Sequence, residues 1–272
     1  MTPRMTRQTT AASRPALTLA GGAASGLVAG LFGVGGGILL VPLQVLVLGT
    51  AQHVAHATSL VAVTLGAIVG VARFGVDGAV HLPGALALAV GAVVGARGGA
   101  ALLPKISDRR LRAVFGGVLL LLSVRFLLAP GSEAAGTDMA VPDLDTLMIT
   151  AHVVGGLAAG ITSSVLGVGG GVIMVPLMAL GLGYGQHIAE GTSLAVIVPT
   201  AATGAWAHAR SGYTDWGAGL RLGAGAMVGA ALGASLALGL SGATLGRLFG
   251  VLQLLTAALM LRSGSPAEPE RS

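Results

Sequence analysis

The string Gly33-Val34-Gly35-Gly36-Gly37 returns as Gly167-Val168-Gly169-Gly170-Gly171, each time inside a long apolar stretch. Behind each string come a proline (Pro42, Pro176), a Gln-His pair (Gln52-His53, Gln186-His187) and a Thr-Ser-Leu triplet (Thr58-Ser59-Leu60, Thr192-Ser193-Leu194). Every second occurrence lies 134 residues after the first, as Gly33 to Gly167, Pro42 to Pro176 and His53 to His187 show. The chain therefore carries two copies of one unit, each interrupting a hydrophobic segment at the same place. Matched interruptions of this kind mark a transport site built from broken membrane helices.

Composition agrees with a membrane-embedded, all-α chain. Mean hydropathy is +0.87, and only 9% of residues are charged, against about 25% in soluble domains. In such a chain the 46 glycines serve close helix contact and tolerated breaks rather than disorder. The net charge of +5 sits in short loops and tails, not along an aromatic-studded face. It reads as a topology signal and not as a nucleic-acid surface. With no cysteine, disulfides, thiolate metal sites and thiol catalysis are excluded. No cofactor or metal is expected, and no Gly-x4-Gly-Lys-Ser/Thr string supports ATP-driven pumping.

Ten apolar segments follow, five per copy. In the first copy they run near Leu17–Leu31, Ile38–Leu48, Ala57–Ala72, Leu82–Leu103 and Leu111–Ala129; in the second, near Leu147–Ile161, Val172–Leu182, Gly191–Ala207, Ala218–Leu240 and Thr244–Leu261. The expected layout is a tail over 1–14, a first repeat over 15–129, an acidic linker over 130–145, a second repeat over 146–262 and a tail over 263–272. A helix crosses a bilayer with about 20 residues, so the first two segments of each copy are short. Either they tilt through a thinned region, or each pair dips in and returns around its glycines. Both readings place the glycine backbone beside a cavity.

The N-terminal Arg4, Arg7 and Arg14, and the loop with Lys105, Arg109, Arg110 and Arg112, point to the cytoplasm, and the linker with Glu133, Asp138, Asp143 and Asp145 to the outside. Each copy then crosses an odd number of times, so the second is inverted relative to the first and both termini are cytoplasmic. The expected location is the cell (inner) membrane, multi-pass. The basic, then apolar, start resembles a signal peptide, but cleavage there would cut into the first repeat, so it reads as a membrane segment.

The paired Gly-x-Gly-Gly-Gly-x4-Pro strings, each followed by Thr-Ser-Leu, resemble the TauE/SafE family of sulfite and organosulfur-anion exporters, with the likeness running from about Leu17 to Leu261. The resemblance implies a transporter of sulfite, a sulfonate or a related small anion.

An oxyanion at membrane depth needs donors and positive potential, and a helix beginning there offers both. Gly33, Gly35, Gly36 and Gly37, with Gly167, Gly169, Gly170 and Gly171, would let backbone N–H groups approach it. Thr58, Ser59, Thr192 and Ser193 would add hydroxyls at the start of the third segments. The plainer alternative is that the glycines only let helices cross closely; their recurrence in two copies favours the site. Pro42 and Pro176 read as geometric.

His53, His187 and Glu190 are the candidates for proton coupling, with the two histidines placed ahead of the third segments, facing interfacial water. Sodium is the other candidate coupling ion. Arg97 reads as snorkelling, Gln44 (paired with Met178) as bonding a ligand or a helix, and His208, Arg210, Asp215 and Trp216 as a solvated turn. The partners expected are the bilayer, a small anion and, as a further candidate, a second copy of the chain. A secondary transporter leads, ahead of a passive anion channel. An intramembrane enzyme comes last, because no Gly-x-Ser-x-Gly elbow occurs and the polar candidates are duplicated.

Overall fold

A computed structural model describes residues 15–102, 108–128, 139–166 and 170–262. Among them the chain is all-α. The helices are α1 (Pro15–Phe32), α2 (Gly37–Pro42), α3 (Gln52–Val76), α4 (Leu82–Leu102), α5 (Asp108–Leu128), α6 (Thr146–Leu166), α7 (Gly171–Pro176), α8 (Gln186–Arg210), α9 (Trp216–Gly239) and α10 (Gly242–Arg262). Pro42 and Pro176 close α2 and α7, and each helix widens into a π-helical turn, at Leu43–Val47 and Leu177–Gly181. Proline brings no N–H to the ladder, and the wider turn follows directly. The polar tails, the loop over 103–107, most of the linker, and Gly167, Val168 and Gly169 lie outside the described residues.

Among the described residues, four helices are long and apolar enough to cross a bilayer alone: Pro15–Phe32, Gln52–Val76, Trp216–Gly239 and Gly242–Leu259. Exposed apolar stripes recur at helical spacing, as Leu86, Val90 and Val94 on α4 and Val228, Leu232 and Leu236 on α9. Such surface would be a liability in water and suits lipid. The protein is an all-α membrane protein.

Glycine decides how the helices meet. A Cβ on Gly22, Gly26 or Gly30 of α1 would strike the backbone of Leu222, Ala226 or Ala230 of α9, and Gly225, Gly229 and Gly233 of α9 meet Leu19, Ala23 and Leu27 in return. Residue numbers rise together along this seam, so α1 and α9 run parallel. The equivalent seam joins Gly91 and Gly95 of α4 to Gly156 and Gly160 of α6, also parallel. Small residues every fourth position bring backbones into direct contact where lipid supplies no hydrophobic drive.

The helices occupying the same place in each copy behave differently. Gly70 of α3 meets Leu194 of α8, while Gly204 of α8 meets Leu60 of α3, so these two cross antiparallel. In α5 and α10, Gly116 meets Leu261 and Gly246 meets Phe126, again antiparallel. The main packing partners of α1, α4, α5 and α6 all come from the other copy.

The short segments double back. Gly36 lies against Ser25 and Ala29, and Gly21 against the Leu43 side chain, so α2 returns along α1. Gly155 and Leu177 repeat the arrangement for α6 and α7. The third helices begin earlier than expected, at Gln52 and Gln186 rather than near Ala57 and Gly191. The polar Gln-His pairs form their first turns, where unpaired N–H groups accept polar company.

Candidate functional site

The first glycine string forms the tip of the α1–α2 hairpin and lies at the α3–α8 crossing. Gly35 touches Val63 of α3 and Ile197 of α8, both near the middle of their helices. Gly33 and Gly36 have φ of +67° and +71°, a left-handed backbone that favours glycine. A Cβ on Gly33 would fall 2.7 Å from Glu190 Cα, and one on Gly36 would fall 2.5 Å from Ser25 Oγ. The Gly36 carbonyl accepts from Leu39 N at 3.1 Å, Leu40 N at 3.2 Å and Ser25 Oγ at 2.6 Å.

The N–H groups tell the opposite story. Gly33 N donates to Ala29 O at 2.9 Å, but none of the N–H groups from Val34 to Ile38 has an acceptor among the described residues. Val34 through Gly37 are buried. Buried unpaired N–H groups are rare, and four in succession, followed by that of half-buried Ile38, make a donor cluster looking for an acceptor at the start of a helix.

The second copy meets the first here. A Cβ on Gly171 would fall 2.7 Å from Val34 Cα and 3.1 Å from Ser193 Oγ, and Ser193 Oγ donates to Gly33 O at 2.8 Å. Gly170, the counterpart of Gly36, has φ −63°, a right-handed conformation open to any residue. Gly167 and Gly169 lie outside the described residues.

All four candidate hydroxyls are buried and engaged within the protein. Thr58 Oγ1 accepts from Asp215 N at 3.1 Å, and Thr192 Oγ1 accepts from His81 N at 2.9 Å. Asp215 stands 134 residues after His81, so each third helix ties down a loop of the other copy in the same way. Ser59 Oγ donates to Ala55 O at 2.7 Å and accepts from Gln44 Nε2 at 2.6 Å. Ser193 is the hydroxyl that meets the first glycine string, at the Gly33 carbonyl.

The coupling candidates separate. His53, in the first turn of α3, is exposed and stacks loosely on Tyr213. His187 does not face interfacial water: it is buried, with Nε2 at 2.9 Å from Ala237 O, because the helix begins before it. Glu190 is fully buried and accepts from Gln186 Nε2 at 2.7 Å. Asp215 caps α9, accepting from Ala218 N at 3.0 Å, and Trp216 begins that helix, so both belong to an element rather than a free turn. Exposed Arg97 agrees with a snorkelling side chain.

Sequence reasoning missed a second polar cluster. Tyr184 Oη lies 2.8 Å from His81 Nδ1 and 2.7 Å from His152 Nε2, and His152 Nδ1 lies 2.6 Å from Met148 O. Facing a carbonyl, His152 Nδ1 carries the hydrogen, Nε2 accepts from the tyrosine, and His81 Nδ1–H donates to the phenol oxygen. Burial, then the neighbouring His152, lowers the His81 pKa below its usual 6.5; burial pushes Tyr184 up to about 12. The counterparts of His152, Tyr184 and His81 are Thr18, Thr50 and Asp215, so the cluster exists at one end of the molecule only. That break in the repeat was the available signal.

Residues 2–126 and 152–272 match the family described as sulfite exporter TauE/SafE. Two proteins of Xylella fastidiosa, from strains Temecula1 and 9a5c, each named probable membrane transporter protein, are 29% identical over 249 residues, covering 90% of this chain and 94% of each relative. The probable membrane transporter protein YunE of Bacillus subtilis is 24% identical over 226 residues, 76% of this chain and 83% of its own length. No solved structure matches. With nearly all of both copies inside the matched residues, the chain belongs to the sulfite exporter TauE/SafE family of membrane transporter proteins.

Proposed function

We propose that the protein is a secondary transporter of a small oxyanion, sulfite or an organosulfonate, working by alternating access between two inverted copies. The carrying observation is the run of N–H groups from Val34 to Ile38 that have no acceptor among the described residues, buried from Val34 to Gly37, set where the copies meet. An anion with several oxygens supplies the acceptors this run lacks, and it draws on the positive end of the broken helix. Gly33, Gly35, Gly36 and Gly37 bring backbone up to it. Gly167, Gly169, Gly170 and Gly171 offer the second half of the cradle, and Thr58, Ser59, Thr192 and Ser193 hold the frame.

The antiparallel crossings of α3 with α8 and α5 with α10 support the inverted arrangement, which gives a site equal access to both faces. In this reading the protein sits in the cell membrane with both termini in the cytoplasm. Its partners are the anion, a coupling ion and lipid.

The test is flux into proteoliposomes with sulfite, sulfate, thiosulfate, sulfoacetate, taurine and carboxylates. Saturable, gradient-driven accumulation of a sulfur oxyanion is the expected outcome. Conduction that never saturates would make the protein a channel, and silence toward the whole panel would remove the anion assignment.

A further inference from the structure

Among the described residues, Glu190 is the carboxyl group the fold has taken furthest from water. It is 0% exposed, on the second turn of α8, and its backbone abuts Gly33 at the tip of the donor loop. One oxygen accepts from Gln186 Nε2; the other, Oε2, has no partner. Two more buried acceptors nearby are short of a hydrogen. Gln253 Oε1 is unpartnered while its amide donates to Val172 O at 3.1 Å, beside the second glycine string. His187, one turn before Glu190, faces the Ala237 carbonyl through Nε2 and leaves Nδ1 bare.

Among the described residues no ion pair to the Glu190 carboxylate occurs. Arg73 pairs with Asp77 and also bonds Ser235. Of the other ionisable groups on elements packed against α8, Arg97 of α4 and Arg247 of α10 are exposed. His53 and His56 stand at the far end of α3, where His56 meets His208. His81 and Tyr184, ahead of α4 and α8, are occupied with each other and with His152. A buried carboxylate held by one neutral donor is among the costliest arrangements a protein can bury. A proton removes that cost.

We propose that Glu190 is the proton-binding site of this transporter, loading one hydrogen ion together with the anion and releasing both on the other side. The inference rests on the transporter reading above and adds the coupling ion and its residue. With the proton on Oε2, Glu190 is neutral and the oxyanion can occupy the N–H groups beside Gly33. Once the proton leaves, the carboxylate and the anion are like charges at close range with little screening, and the anion is expelled. The proton comes from solvent on the loading side and returns to solvent on the other, so nothing else is consumed. The copies differ here, since the counterpart of Glu190 is His56, half-buried at the opposite end of the crossing. One acid therefore serves the pair.

Infrared spectroscopy of the purified protein at neutral pH should show the carbonyl stretch of a protonated carboxylic acid that E190Q lacks. Absence of that band from the wild type overturns the proposal whether or not the protein transports. In proteoliposomes loaded with sulfoacetate and held at zero membrane potential by potassium and valinomycin, one proton per anion gives about tenfold accumulation for each pH unit of gradient. E190Q, fixed in the neutral form, should lose this accumulation while exchange of internal for external sulfoacetate continues, and E190D should restore part of the gradient response. Gradient-driven accumulation by E190Q, loss of exchange along with it in a protein of normal elution and helicity, or accumulation that follows sodium instead of pH would each overturn it. If the wild type moves no anion of the panel, the transporter reading fails, and the infrared band alone decides whether Glu190 holds a proton.

Discussion

Gly36 and Gly170 occupy identical places in identical strings, yet their backbones differ. Gly36 is left-handed and walled by Ser25, while Gly170 is right-handed, with the nearest obstacle at 2.6 Å being the methyl end of Met174. Gly36→Ala should therefore cost about 1–2 kcal/mol of backbone strain plus about 1–3 kcal/mol of overpacking. Gly170→Ala should be near neutral, because a methionine tip moves aside. Thermal unfolding of the two variants in detergent checks this, and equal destabilisation would contradict it. Ser193→Ala should leave the Gly33 carbonyl without its donor, at a cost of about 1–3 kcal/mol, and should reduce anion flux by loosening the tip of the hairpin. Normal flux in that variant would detach Ser193 from the site. None of these distinctions is legible in the sequence. The repeat reveals the glycines, but identical letters hide which backbone is left-handed, and the hydroxyls at Thr58 and Ser59 gave no hint of their bonds to Asp215, Ala55 and Gln44.

At the scale of elements, sequence reading placed the helices well, because a change from apolar to polar marks a helix end in lipid as clearly as a cap does in water. It erred at the third helices, where Gln52-His53 and Gln186-His187 looked like loop and proved to be first turns. It could not foresee which helix meets which, since glycine appears on many faces of α1, α4, α6 and α9. Gly26→Leu should abolish the α1–α9 contact and prevent the folded protein from accumulating in membranes. Gly75→Leu, which meets nothing within 4 Å, should be harmless; equal expression of both would refute the seam.

The His81–Tyr184–His152 junction carries its own pH dependence. His81 sits below 6.5 when packed, so the closed junction binds fewer protons than an opened one. It is firmest above 6.5 and weakens as pH falls through the lowered value. The melting temperature should drop on acidification, and His81→Asn should flatten that limb. A variant as acid-sensitive as the wild type would remove His81 from the explanation.

Across the whole molecule, the antiparallel α3 and α8 place their C-terminal ends on opposite faces. In the natural cysteine-free background, Val76→Cys and Ser211→Cys, at the ends of those helices, should react with an impermeant maleimide from opposite sides of the membrane. Reaction from one side only would refute the inverted topology. Charge counting around the repeat predicts the same inverted topology, because loop arginines respond to the membrane potential and the insertion machinery rather than to the packed fold. The asymmetry between Glu190 and His56 was visible as a mismatch in the repeat, while its burial beside Gly33 needed three dimensions.

The interleaving of the copies has a consequence for synthesis. When α1 leaves the ribosome, the helix that will fill its glycine face is about two hundred residues away, the distance from Gly22 to Leu222. The first half must wait in lipid with its main seam unpaired until α9 arrives, so a chain stopped at the linker is a substrate for quality control and not half a transporter. In the inverted arrangement proposed above, an ancestral single copy would have worked only as a pair of chains inserted in opposite senses.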